Sequence, residues 1–312
     1  MVIDIFPHLI SKRVLSFLRS RKEFRFRPAP DNGDIEARLS VMDRYGIDIQ
    51  AISPTTPILV GLNPADAAEV CKMSNDDNAV FCRAHPERFV NICMFSLLEL
   101  GIAIKELERS VNELDCRGIT IASNQNGKGL DSPEYFPFYE KLVEYDLPIL
   151  IHPIDWERYP LTVGEDSFEM MGIFGWPFDT TQAVWRLICN GVLDRFPSLK
   201  IVMHHLGAMF PYFAGRMKTA APLMSALDRP FEDYWSNIYG DTAVSQTAAA
   251  LPCGYAFFGA KRMVFGTDYP FGPENGLAYI RDNFQAVKNL DIPDREKEMI
   301  LAGNAKKLLK ID

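Results

Sequence analysis

The 312 residues predict an α/β chain folded as a single distorted (β/α)8 barrel over 1–312, on three observations. Runs rich in Val, Ile and Phe alternate with helical patterns eight times in the length that such a barrel needs, for which about 250 residues is typical. Several runs are continuously apolar (ILI at 149–151, IVM at 201–203), as expected of parallel strands buried on both faces. Four of the five histidines and one aspartate stand where these runs end: His8, His152, His204, His205 and Asp268.

The spacing predicts strands over 2–6, 47–53, 88–95, 117–123, 147–152, 199–204, 237–242 and 262–267. Helical periodicity fills 64–84, 99–114, 134–146, 178–195, 209–227, 243–258 and 275–289 between them. Asn63-Pro64 and Ser132-Pro133 each put a capping side chain before a proline at the first helical position. Asp179 with Gln182 three residues later reads as a capping box. Gly46 and Gly191 stand where helix C-termini should break. Two segments exceed the barrel's needs and read as inserted loops after the first and fifth strands, 9–33 and 153–177. No repeat or linker divides the chain.

Composition excludes several function classes. A net charge of −8 argues against a nucleic-acid partner. No apolar run approaches the roughly 18 residues of a membrane helix. The start of the chain has no signal-peptide pattern, and the six cysteines form neither CxxC pairs nor metal knuckles. They read as reduced thiols of a cytoplasmic protein. Residues 9–30 carry seven cations (Lys12, Arg13, Arg19, Arg21, Lys22, Arg25 and Arg27) against Glu23 alone. That stretch is either a solvated or subunit-contact face, or a device steering an anionic substrate toward His8.

Barrel chemistry sits at the C-terminal ends of strands. His8, His152 and Asp268 there would supply two imidazoles and a carboxylate, a set that suits a divalent metal with an open position. Side chains two apart on a strand face the same way, so Phe6 shares a side with His8. The same alternation lets only one of His204 and His205 point into the barrel. His85, in RAHPERF, reads as structural or exposed. Beyond His152, Trp156, Arg158 and Tyr159, with Phe174, Trp176 and Phe178, would bring aromatic walls and a guanidinium suited to a carboxylate. Trp156, Arg158 and Trp176 are the candidate substrate-binding residues, although plain loop packing accounts equally well for the aromatic group.

These segments carry a resemblance. IDxxxH at the start, NAVFCRAHPERFV, LIHP, GVLDRFPSLKIVMHHLG followed by PY and Arg216, and FGTDYP together resemble the amidohydrolase-2 family. This is the group around aminocarboxymuconate-semialdehyde and γ-resorcylate-type decarboxylases, and the similarity runs the whole length. The resemblance implies a distorted, amidohydrolase-like barrel, metal ligands at His8, His152 and Asp268, and a catalytic acid/base at His205. It gives Asp268 a further part in proton transfer and leaves His204 without a role, as core. Phe6 departs from the pattern, since the family usually has His there and some branches Glu or Asp. That departure bears directly on how tightly a metal is held, or whether one is held at all.

The leading expectation is therefore a metal-dependent, non-oxidative decarboxylase of an unsaturated or aromatic carboxylic acid. Its cofactor is a divalent ion, zinc first and manganese or iron also compatible. Asp268 would serve as proton donor if the site raises its pKa. The runner-up is a lactone or amide hydrolase of the same superfamily that needs no metal, and a catalytically inactive binding subunit ranks third. A small carboxylic acid is the expected partner, with a homodimer or higher homo-oligomer built through 9–30 or 209–227.

Overall fold

A computed structural model describes residues 1–21, 33–154, 170–223, 227–244 and 247–311. Eight parallel strands follow one another around a barrel: β1 (Ile3–Asp4), β2 (Ile49–Ile52), β3 (Phe89–Phe95), β4 (Cys116–Ala122), β5 (Ile149–His152), β6 (Ile201–Met203), β7 (Ile238–Asp241) and β8 (Met263–Val264). Each lies within or one residue beyond a predicted run. The register places Ile3 opposite Ile49, Ala122 opposite His152, Met203 opposite Gly240 and Val264 opposite Asp241, and shifts once, between Asn91 and Ile92 where β3 meets β4. The ring closes between the chain's two ends, where Ile5 N donates to Phe265 O (2.9 Å), Asp268 N to Phe6 O (3.0 Å) and His8 N to Tyr269 O (2.6 Å).

Strand parity divides the apolar side chains into two populations. Ala51, Ile92, Leu150, Val202 and Val264 fill the interior, plugged by Ala305, Leu308 and Leu309 of the C-terminal helix. Ile52, Cys93, Ile119, Ile121, Ile149, Ile151, Ile201 and Met203 face outward against the surrounding helices. This is why the strands are apolar on both faces. Two residues beyond Leu150 and Val202, the interior parity delivers His152 and His204 to the barrel mouth.

The predicted helices appear at Pro64–Ala84, Leu100–Glu113, Phe136–Tyr145, Trp176–Cys189, Phe210–Ala220, Ala250–Phe258 and Leu277–Lys288. Asn63 caps as expected, its side chain accepting from Asp66 N at 3.0 Å. Ser132 makes no such bond, because a 3-10 turn (Pro133–Tyr135) precedes that helix. Asp179 is not a cap either. It lies inside Trp176–Cys189, and its buried carboxylate accepts from Ser123 Oγ, Asn124 Nδ2 (3.2 Å) and Ile154 N (3.1 Å), tying that helix to the loops after β4 and β5. Gly46 and Gly191 adopt the left-handed conformation at breaks, with φ of 69° and 71°.

The segment 9–33 contains a helix that sequence reasoning missed, Lys12–Arg19, capped by Ser11 and packed through Val14, Leu15 and Leu18. Its charge obscured that apolar spacing. Arg13 pairs with Asp77 (3.0 Å) and Arg21 with Asp66 (2.8 Å), so these cations bind the helix Pro64–Ala84. Lys22, Glu23, Arg25 and Arg27 lie outside the described residues. His85 ends that same helix, part-exposed, and all six cysteines are free thiols. Among the described residues no helix is long and apolar enough to cross a membrane.

Candidate active site

Four imidazoles and a carboxylate meet at the C-terminal mouth of the barrel. One ligand atom from each of His8, His152 and His204 lies within 4.8 Å of the others, as does one from each of His204, His205 and Asp268. His8 Nε2 stands 3.3 Å and His204 Nε2 3.5 Å from Asp268 Oδ1, and His205 Nε2 is 4.0 Å from Asp268 Oδ2. His8 and His204 are fully buried, whereas His205 and Asp268 keep 18% and 15% of their side-chain surface exposed and face the opening.

The adjacent histidines break the alternation expected of a strand. His204 keeps the interior parity of Val202, but His205 and Leu206 have φ of 58° and 57°. That left-handed turn, costly for residues with a Cβ, swings the second ring back so that the two ring centroids lie 3.8 Å apart. Both therefore enter the site. Asp268 also has positive φ (63°), where the chain leaves β8 toward the pair Tyr269-Pro270. His204 is fully buried, and its ring is a member of the cluster rather than a bystander to it.

Two of the rings, His152 and His204, are fixed from behind, and His8 is held through its backbone. His152 Nδ1 donates to Pro153 O (2.6 Å), which leaves Nε2 as the inward nitrogen beside Thr55 Oγ1 at 3.1 Å. His204 Nδ1 makes a short bond to the carboxylate of Asp241, itself buried and accepting from Leu206 N (3.1 Å) and Ala243 N (2.9 Å). Arg38, on the helix Ile35–Tyr45 and 1% exposed, donates to His8 O and to Gln50 Oε1 (2.9 Å). Gln50 Nε2 in turn donates to Asp4 (3.0 Å), whose carboxylate also accepts from Thr267 N (3.1 Å) and Thr267 Oγ1 (2.6 Å). Sequence reasoning missed Asp241, Arg38, Asp4 and Thr55. Asp241 alone carried a usable signal, a carboxylate at the end of an apolar strand like Asp268.

Electrostatics follow from burial and neighbours. Burial lowers the pKa of His8 against the partial support of Asp268, and lowers that of His152 further with help from His8 and His204. His205 is pushed down to about 4 by burial and by His204. Burial also works against a charged His204, but Asp241 and then Asp268 outweigh it and raise the ring to about 9. Burial would raise Asp268, yet contacts with His204 and His8 hold it well below the usual carboxylate range. The expectation of a raised Asp268 is thus not met, because the imidazoles of His204 and His8 favour its charged form.

Phe6 is buried in the interior, stacked on His204 with centroids 3.9 Å apart and planes 9° off parallel. Trp176 is half-buried in the first turn of Trp176–Cys189, three residues before Asp179. Trp156, Arg158 and Tyr159 lie outside the described residues.

The amidohydrolase-2 family model (Amidohydrolase) matches residues 8–311. The chain belongs to the amidohydrolase-2 family. It is 32% identical over 289 residues to a 2-amino-3-carboxymuconate-6-semialdehyde decarboxylase of Dictyostelium discoideum, covering 89% of this chain and 77% of that one. A γ-resorcylate decarboxylase of a Rhizobium species is 29% identical over 296 residues, covering 89% and 87%. Among solved structures, 5-carboxyvanillate decarboxylase of Novosphingobium aromaticivorans, in complex with manganese and 4-hydroxy-3-methoxy-5-nitrobenzoic acid, superposes with a TM-score of 0.84. Its identity is 24%, over 100% of this chain and 96% of that one, a likeness of fold.

Proposed function

We propose that this family member is a metal-dependent, non-oxidative decarboxylase acting on an unsaturated or aromatic carboxylic acid. The observation that carries the reading is the convergence of His8, His152, His204 and Asp268 ligand atoms at the barrel mouth, in a chain similar over most of its length to the two decarboxylases named above.

The donor set fits a divalent ion. Both ring nitrogens of His8 and the Nε2 of His204 are buried without a hydrogen-bond partner, a costly state that a cation bound to one nitrogen of each ring would relieve in part. His8, His152 and Asp268 are the proposed ligands. Bound there, a divalent ion polarises a substrate carboxylate or neighbouring oxygen as a Lewis acid, zinc suiting the nitrogen and oxygen donors first and manganese or iron also.

The remaining chemistry is this chain's own. His205, the most exposed of the four rings, meets the substrate at the opening. Burial keeps it neutral at pH 7, so it first takes a proton from a substrate hydroxyl and then delivers that proton to the ring carbon. The C–C bond breaks, its electron pair stays on that carbon with the new proton, CO2 leaves, and solvent returns a proton to the oxygen. Asp268, held ionised, orients His8 and His204 and does not itself donate. Trp156, Arg158 and Trp176 remain the proposed substrate-binding residues, Arg158 as carboxylate clamp. The six free thiols favour a cytoplasmic setting. Self-association would use the helix Phe210–Ala220, where Tyr212 is 80% exposed.

The experiment is CO2 release from a panel of hydroxybenzoates and carboxymuconates, measured with bound metal. Stoichiometric metal and CO2 evolution are expected. Lactone or amide hydrolysis without CO2 would replace this reading with the hydrolase.

A further inference from the structure

We propose that His204 supplies, from the sixth strand, the metal ligand that Phe6 has removed from the first. The inference rests on the metal-dependent reading above but concerns how this chain, rather than its relatives, holds the ion.

Phe6 and His204 occupy one place in the barrel mouth. Their rings stack almost face to face, and both stand near His8 and His152, with centroids of 5.7 and 6.2 Å from Phe6 and of 5.8 and 5.2 Å from His204. Phe6 therefore does more than delete a donor. Its flat face supports an imidazole whose inward nitrogen lies in the same cluster.

Three features of His204 are those of a ligand rather than of a packed core ring. Its Nε2 is fully buried without a hydrogen-bond partner, 3.5 Å from Asp268 Oδ1. Its Nδ1 is engaged by the buried carboxylate of Asp241, the arrangement that fixes the tautomer of metal-bound histidines and strengthens their donor nitrogen. The third is spacing. Donor atoms placed tetrahedrally around a common centre at zinc's bond lengths lie about 3.4 Å from one another. His8 Nε2 and His204 Nε2 stand 3.3 and 3.5 Å from the same oxygen of Asp268. His8, His152 and His204 form one group of ligand atoms within 4.8 Å of one another, and Asp268 joins it through the oxygen it shares with His8 and His204, which makes a set of four. His205 is then left free of the ion for its work at the opening.

The competing account makes His204 a permanent imidazolium, a fixed cation between Asp241 and Asp268 standing where an ion would otherwise sit. The two accounts differ in metal affinity. Chelator-stripped protein is titrated with Co2+ alone, by calorimetry and by visible absorption, as wild type, His204→Ala, Asp241→Asn and the double variant Phe6→His/His204→Ala. One equivalent is expected to bind to wild type. His204→Ala should weaken binding by at least about 10-fold and alter the Co2+ bands, with a loss of about 10- to 100-fold for Asp241→Asn. The double variant, which returns a donor to the first strand, should regain affinity.

A wild type that binds no Co2+ overturns the proposal. So does a folded His204→Ala with undiminished affinity and an unchanged spectrum. Should His204→Ala fail to fold, Asp241→Asn decides, and wild-type affinity in that variant overturns the proposal equally. CO2 release is scored separately. Tight, His204-dependent Co2+ binding without CO2 release would leave this inference standing and remove the decarboxylase reading. CO2 release with affinity indifferent to His204 would do the reverse.

Discussion

Asp4 is a fully buried carboxylate that links the two ends of the chain, and its ionisation should be visible in the stability of the whole barrel. Burial raises its pKa from 3.8 to about 6, despite hydrogen bonds from Thr267, Phe6 and Gln50 and the nearby charge of Arg38. A carboxyl group with a raised folded pKa stabilises the native state most when protonated. The contribution is complete below pH 3.8 and is lost as pH rises through about 6. A shift of roughly two units corresponds to about 3 kcal/mol at 1.36 kcal/mol per unit. Asp4→Asn cannot ionise, so it removes this dependence. It also puts an amide nitrogen against the Gln50 Nε2 donor now 3.0 Å away, a conflict costing about 1–3 kcal/mol. Urea denaturation of both proteins between pH 4 and 7.5 measures the difference directly. Wild type should be clearly the more stable at pH 4, and its advantage should shrink by about 2.5 kcal/mol by pH 7.5. An advantage that stays constant across that range would refute the assignment of a raised pKa to Asp4.

Three further outcomes are expected. His205→Asn should lower kcat for CO2 release by at least about 100-fold while leaving metal content unchanged, by metal analysis of the purified variant. Removing metal with a chelator should abolish turnover, and adding back zinc or manganese should restore it; turnover that survives with no metal detected would favour the hydrolase. Sedimentation of the wild type should give a dimer, and Tyr212→Glu, which places a charge on the 80% exposed position, should shift it toward monomer.

The barrel was legible because its strands are buried on both sides. Ile119, Ile121, Ile149 and Ile151 are apolar for the helices outside, while Leu150 and Val202 are apolar for the interior. Such runs announce themselves without any periodicity. His8, His152 and Asp268 were legible for the reason that they end those runs. The rest of the site was not, and the causes are physical. Parity predicts the direction of a side chain only while the backbone remains extended, and the left-handed turn at His205 lies outside that rule. Arg38 acts from a helix inside a stretch that offers no strand end, and it reaches His8 through a backbone oxygen, which leaves no mark on the residue type. Asp4 reads as an ordinary acidic position until Gln50 and Thr267 are seen to point at it.

The closure between the strand that begins the chain and the strand near its end has a consequence for how the protein comes into being. His8 and Asp268 are 260 positions apart, yet they sit side by side because Phe6 and His8 are hydrogen-bonded to Asp268 and Tyr269. Contacts of such separation are made late, since the entropy of the intervening loop has to be overcome first. During synthesis His8 leaves the ribosome 260 residues ahead of its carboxylate partner, so the pair cannot form until most of the barrel has been made. A nascent or truncated chain ending before Asp268 would lack both the carboxylate of the cluster and the seam that closes the barrel.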